Sequence, residues 1–216
     1  MKNYIITALL ALLIGAGAGY YGARYKQCGA GECKGGKVSE QGCALQRGME
    51  KLWAEHVLWT RQFIVSSVAG LGDAGDAAKR LLKNQEDIGN AIVPFYGQEA
   101  GTQLTKLLKE HITIAADIVA AAIKKEDAKV KDLDTKWHKN AADIAAFLSK
   151  ANPNWTEAGL TDMLNHHLAL TTQELLLRLK GDWAEDISNY DQVFDQGLMM
   201  GKDLADGIIK QFPDKF

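Results

Sequence analysis

From about Gln46 onward, apolar residues recur at three- and four-residue steps, and the alternation of a strand survives nowhere. That period limits the chain to helices that must each bury one face. Leu52, Trp59 and Phe63 share such a face; Leu104, Leu108, Ala115, Ile118 and Ala122 share another; Leu160, Leu164, Thr171 and Leu175 a third. Breakers cut the pattern at Gly70-Leu71-Gly72, Pro94 to Gly97, Lys124 to Asp127, Asn152-Pro153-Asn154 and Lys180-Gly181, which predicts six helical segments. Only 3 of the 216 residues are proline, so little else interrupts them.

The segments repeat. EHVLWTR at Glu55, EHITIAA at Glu110 and HHLALTT at His166 align, and His56, His111 and His167 are separated by 55 and 56 residues. The helices end at turns closing in Asp73, Asp127 and Asp182, which lie 17, 16 and 15 residues after their histidines. Aspartate favours the N-cap, and Asp182 followed by Glu185 has the form of a capping box. The returning segments also resemble one another: EDIGNAI from Glu86, ADIAAFL from Ala142 and KDLADGI from Lys202. The expected fold is all-α, a six-helix bundle of three repeated helical hairpins, preceded by an N-terminal transmembrane helix or signal peptide.

The N-terminal expectation rests on Tyr4 to Ala23, which carry no charge. At ~1.5 Å per residue that run reaches ~30 Å, the hydrocarbon thickness of a bilayer. Ala16-Gly17-Ala18 would suit signal cleavage, but the uncharged run continues beyond it, which favours an anchor. Basic residues after the run argue for a cytoplasmic domain and the signal-like layout for export; we place the domain outside the cytoplasm, membrane-anchored, with secretion after cleavage as the alternative. Residues 26–44 are rich in Gly and Lys and read as a flexible tether, leaving 1–25 as the anchor and 45–216 as the helical domain. All three cysteines, Cys28, Cys33 and Cys43, lie in the tether. Their spacing is not a zinc pattern, and they read as a local disulfide with one further thiol.

Helix geometry also predicts where polar groups meet. Asp87 lies 14 residues past Asp73 and Asp143 lies 16 past Asp127, nearly level with His56 and His111 on the opposing legs. His56–Asp87 and His111–Asp143 are therefore expected cross-helix pairs. In the third hairpin, level counting points to Asp195 and motif alignment to Asp203. Asn84 and Asn140 stand three residues before their aspartates, on the same face.

The three histidines fall on apolar stripes and should face inward, where each needs a hydrogen-bond partner. One reading makes them a neutral layer that sets register. The other makes them ligands for zinc or copper, with the carboxylates and amides orienting the rings. Lys and Arg number 25 against 27 Asp and Glu, a net charge of −2, which provides no field for nucleic acid. No nucleophile elbow, phosphate loop or His-Glu-x-x-His occurs. The expected function is therefore a non-enzymatic binding, sensor or interaction domain held at a membrane, with a protein partner or a second copy in scope. A histidine-centred metal or cofactor bundle is the alternative, and a His–Asp acid–base enzyme the second alternative.

The body resembles an uncharacterised bacterial family of small all-helical proteins. The resemblance runs over about residues 50–212 and rests on LWAEHVLWTR (Leu52–Arg61), NQEDIGNAIVPFYG (Asn84–Gly97), EHITIAAD (Glu110–Asp117), NAADIAAFL (Asn140–Leu148), HHLALT (His166–Thr171) and GIIKQF (Gly207–Phe212). Members often carry enzyme labels, glycosyltransferase and acetylglutamate kinase among them, which no motif here supports. The resemblance implies a helical fold and no activity. It also implies an Asp near position 202, where this chain has Lys202 followed by Asp203.

Overall fold

The computed structural model describes residues 38–216. These form five α-helices, α1 (Glu40–Ala69), α2 (Ala74–Ile123), α3 (Asp127–Ala151), α4 (Glu157–Lys180) and α5 (Trp183–Gln211), closed by a 3₁₀ turn, Pro213–Lys215. No strand occurs among the described residues. The anchor expected at 4–23, most of the tether, and Cys28 and Cys33 lie outside them. Cys43 is buried in the first turn of α1. Among the described residues no helix is long and apolar enough to cross a membrane.

α1 starts at Glu40, where Ser39 caps it: its hydroxyl accepts from the Gly42 N–H at 3.1 Å. Thr156 caps α4 in the same way, through the Gly159 N–H at 3.2 Å. The expected aspartate caps do not form. Asp73 and Asp182 precede α2 and α5 without a side-chain cap bond, and Asp127 lies inside α3 behind Glu126. Asp73 instead accepts from Gln62 at 3.1 Å, and Asp182 from Lys180 at 3.1 Å. Each carboxylate is drawn to a long side chain before it can turn back onto its own helix.

The expected break at Pro94 to Gly97 is present as a kink at its last residue. Helix resumes at once after a single non-helical residue, Gly97, with φ 84° and ψ 168°. Two helical arms, 74–96 and 98–123, thus meet at a sharp kink within the range of α2. Pro94 removes an N–H from the first arm, and only glycine reaches the Gly97 conformation without a steric penalty. The arms touch backbone to backbone at Gly89 and Gly101; a Cβ on either would lie 2.7 Å from the other's carbonyl oxygen.

Each helix buries a stripe set by its period. On α1 the stripe is Met49, Trp53, His56, Val57, Thr60 and Ile64, so Leu52 and Phe63 flank it only partly buried. On α4 Leu160, Leu164, Thr171 and Leu175 are buried as expected. α1 packs on α2 and α5, α2 on α3, α3 on α4, and α4 on α5, while α1 also touches α4. One end is plugged by aromatics: Tyr96 lies 6.0 Å from Trp155 and 5.5 Å from Phe212, ring centre to ring centre. The Tyr96 hydroxyl donates to Gln211 at 2.7 Å and accepts from Asn152 at 2.9 Å.

The two-arm contact makes a mutational prediction. Gly89→Ala should destabilise the chain by roughly 1–3 kcal/mol, because the new Cβ meets the Thr105 hydroxyl and also the Gly101 carbonyl, which is backbone and cannot turn aside. Gly48→Ala in α1 meets nothing within 4 Å. It should stabilise by about 0.5–1 kcal/mol through lower chain entropy. Urea unfolding of the two variants checks both signs.

Candidate functional site

Three buried histidines stand on one stripe each of α1, α2 and α4. His56 and His111 are 4 % exposed and His167 3 %. Every one is met by an amide 29 residues further on. Gln85 Nε2 lies 3.2 Å from His56 Nδ1, Asn140 Oδ1 lies 2.8 Å from His111 Nδ1, and Gln196 Oε1 lies 3.0 Å from His167 Nδ1. A second bond repeats as well. Asn84, Asn140 and Gln196 donate to the carbonyls of Leu52, Leu107 and Met163, each four residues before its histidine, at 3.0, 3.2 and 3.2 Å. In the second and third sets one amide performs both tasks. In the first, Asn84 and Gln85 divide them.

That division decides where the protons lie. Asn140 and Gln196 present oxygens, so His111 and His167 carry their proton on Nδ1 and a lone pair on Nε2. Gln85 presents its NH₂, which also faces the Leu81 carbonyl at 2.9 Å and Asn84 Oδ1 at 3.1 Å. His56 must then accept at Nδ1 and carry its proton on Nε2. That Nε2 sits 3.4 Å from His167 Nε2, so His56 donates and His167 accepts. That bond joins α1 to α4, while the other end of the first amide, Gln85 Oε1, is buried without a partner.

Burial drives all three rings toward the neutral form. His56 is held well below the usual imidazole range, first by burial and then by the nearby His167 and His111. His111 falls to about 3 and His167 to about 4, again chiefly through burial. Aromatic walls complete the exclusion of water: Trp53 meets His56 edge-on at 5.4 Å, and Trp137 lies 5.1 Å from His111.

The expected carboxylate partners lie elsewhere. Asp87 bonds Lys83, and Asp143 bonds Lys139 at 2.6 Å. Both pairs are four residues apart on the outer helix faces. Asp195 and Asp203 are exposed. Of the six orienting candidates only the amides reach the layer: Asn140 bonds its ring directly, and Asn84 holds Gln85. Level counting succeeded to within three residues, since Asp87, Asp143 and Asp195 adjoin Gln85, Asn140 and Gln196 along their helices. The face was wrong, because each residue turns a helix by about 100°.

A zinc site needs three lone pairs on one point, and this layer presents two lone pairs and one N–H. Among the described residues no group of three or more His, Cys, Asp or Glu side chains is placed to hold a metal ion. None of the three rings contacts a carboxylate either, so they form no His–Asp acid–base pair. Instead, they line a cavity of about 40 Å³, whose other walls include Ile112, Ile118, Trp137, Thr171 and Leu175.

Beside the layer lies a charge cluster that sequence reading missed. Arg61 donates to Glu174 at 3.0 Å and to both oxygens of Asp186, and Arg178 reaches Asp186 at 3.2 Å. Both carboxylates are fully buried. Burial pushes Asp186 up, but hydrogen bonds and charge from Arg61 and Arg178 outweigh it and hold the group below the usual range. Glu174 has one arginine bond and a second oxygen with no partner, so burial prevails and raises it to about 7. Arg61 lies five residues after His56 on α1, and its partners come from α4 and α5.

Comparison with protein-family models, with curated proteins and with solved structures finds no match to this chain. Function therefore has to be reasoned from the site.

Two predictions test the protonation scheme. Long-range ¹H–¹⁵N spectra of the histidine rings should show His56 protonated on Nε2 and His111 and His167 on Nδ1; three identical tautomers would contradict it. Stability should fall as pH drops below 6.5, because the unfolded rings bind protons that the folded rings refuse. Glu174 acts in the opposite sense between 4.5 and about 7, where the folded chain binds the extra proton. The net uptake on unfolding is about two protons near pH 5.5, or roughly 3 kcal/mol per pH unit. Urea unfolding across this range measures the slope, and Glu174→Gln should steepen it.

Proposed function

We propose that this chain is a membrane-tethered helical bundle acting as a non-enzymatic binding domain, with the cavity beside the histidine layer as its binding site. One observation carries the reading: a cavity of about 40 Å³ inside the bundle is walled by three neutral histidines and apolar side chains. Concave apolar sites with a few placed polar groups are suited to ligands. Catalysis by these rings is disfavoured by the same chemistry, since a general base should titrate near the working pH and His111 and His167 are held at about 3 and 4.

The tether reading is supported by the uncharged run at 4–23, with the domain outside the cytoplasm. The domain itself reads as three repeated hairpins. They comprise α1 with arm 74–96, arm 98–123 with α3, and α4 with α5. The 29-residue spacing of the three histidine–amide pairs supports that division. The bacterial family that the sequence blocks resemble is proposed on those blocks alone and brings no activity with it.

The experiment uses the full chain, extracted from membranes in detergent and exposed to xenon under pressure. Methyl resonances of Ile64, Leu81, Ile112, Ile118 and Leu175 should shift saturably while surface methyls such as Leu58 do not. Fractionation should find the chain in the membrane after alkaline extraction. Uniform small shifts over the whole surface would remove the cavity reading, and release into the soluble fraction would remove the tether.

A further inference from the structure

The three most exposed large apolar side chains among the described residues are Ile187 at 60 %, Trp183 at 53 % and Leu58 at 50 %. They lie on two helices that pack together, α5 and α1. On α5, Trp183, Ile187, Tyr190, Phe194 and Leu198 follow one another at steps of four, three, four and four, so one stripe carries them all. Tyr190, Phe194 and Leu198 are half-buried, and the rings of Tyr190 and Phe194 lie 6.3 Å apart. Across the seam, the Arg61 guanidinium stands 5.1 Å from the Tyr190 ring, and Leu58 precedes Arg61 by one turn on the same side of α1. The apolar edge of α1 thus continues the stripe of α5. At ~1.5 Å per residue the stripe spans ~22 Å, a length suited to a helix. Single exposed apolar residues need no explanation, whereas a row of five does.

Charge indicates what can cover it. On α2 and α3, four aspartates are each neutralised by a lysine three or four residues away: Asp76 by Lys79, Asp87 by Lys83, Asp132 by Lys136 and Asp143 by Lys139. Beside the stripe that pattern stops. Asp191 and Asp195 directly follow Tyr190 and Phe194 and are exposed, and neither has an ion pair among the described residues. No Lys or Arg occurs on α5 between Trp183 and Gly201. The cations nearby are engaged: Arg61 with Glu174 and Asp186, Arg178 with Asp186, and Lys180 with Asp182. α1 offers no other Lys or Arg between Leu52 and Ala69. A second copy of the chain would bring this acidic edge against itself, and an anionic bilayer would be repelled by it. A cationic helix satisfies both the apolar stripe and the two aspartates, which stand four residues apart on one side of it.

We propose that the α1–α5 seam docks an amphipathic helix of a protein partner. The partner's apolar face lies against Leu58, Trp183, Ile187 and Phe194, and lysines or arginines beside that face pair with Asp191 and Asp195. This surface is separate from the cavity, and the inference does not depend on the cavity reading.

The test uses the full chain in zwitterionic lipid nanodiscs, ¹³C-labelled at isoleucine and leucine methyls. The probe is a helical peptide of about 18 residues, with leucines at three- and four-residue steps and lysines beside them. A second peptide has glutamate in place of each lysine. The lysine peptide should shift the Leu58, Ile187 and Leu198 methyls saturably, and the glutamate peptide should not. Asp191→Lys combined with Asp195→Lys should weaken the lysine peptide about tenfold and make the glutamate peptide the tighter of the two. Ile187→Ser should weaken the lysine peptide several-fold. All three substituted positions are exposed, so the fold tolerates the changes. Equal binding of both peptides, or binding of neither, would overturn the assignment. Dimers seen by sedimentation in detergent and dispersed by Ile187→Ser would overturn it in favour of a second copy. Shifts of the same methyls on adding anionic lipid without peptide would overturn it in favour of the bilayer.

Discussion

Three imidazoles are buried in one bundle, and each would be a liability without a partner. The structure depends on how they are satisfied. An unpaired buried ring nitrogen costs on the order of 1–3 kcal/mol, so the amides opposite them are as necessary as the histidines. Gln85, Asn140 and Gln196 each join one helix to the next, and the bond between His56 and His167 ties α1 to α4. Any slip of one helix by a turn would break a ring bond and a carbonyl bond together. Apolar packing alone is tolerant of such slips, whereas paired polar groups are not. The layer thus specifies register, and the cavity beside it is a consequence of placing bulky flat rings on three converging stripes.

Departure from symmetry matters more than the repeat. Had all three amides presented oxygens, three lone pairs would have pointed inward and the layer would have had a metal site's electronics. The carbonyl of Leu81 and the oxygen of Asn84 hold the Gln85 amide the other way round. His56 becomes a donor to His167, at the cost of a buried Gln85 Oε1 without a partner. The Arg61 cluster adds a second asymmetry, because it joins α1, α4 and α5 and has no charged counterpart at Ala116 or Thr172. Two carboxylates around one guanidinium leave Glu174 under-satisfied, and its raised proton affinity expresses that shortage.

Much of this was legible in the residues and some was not. Helical class, the hairpin turns, the inward histidines and the axial level of their partners follow from a 3.6-residue period and a fixed rise. Asn140 was legible as a partner because it lies on the same face as the motif. Gln85 and Gln196 were not, since neighbouring aspartates at the same level looked better suited and lysines four residues away, which capture them, act over the outer surface. The third motif alignment slid by four or five residues, because GKDLADGI mimics the earlier returning segments while DQGLMM occupies the equivalent position.

By itself, then, the sequence determined that the chain is helical, where its turns fall, and that three histidines would be buried at a common level, because periodicity and chain length are local properties. Only the tertiary structure decided which polar residues answer them, which nitrogen of each ring keeps its proton, and that Arg61 turns inward. Those outcomes depend on angles about helix axes and on carbonyls such as Leu81 and Leu52, which no side-chain alphabet records. The packing of the two arms about Gly97 belongs there too: a glycine after a proline marks the break, and only the backbone contact between Gly89 and Gly101 shows how the arms meet.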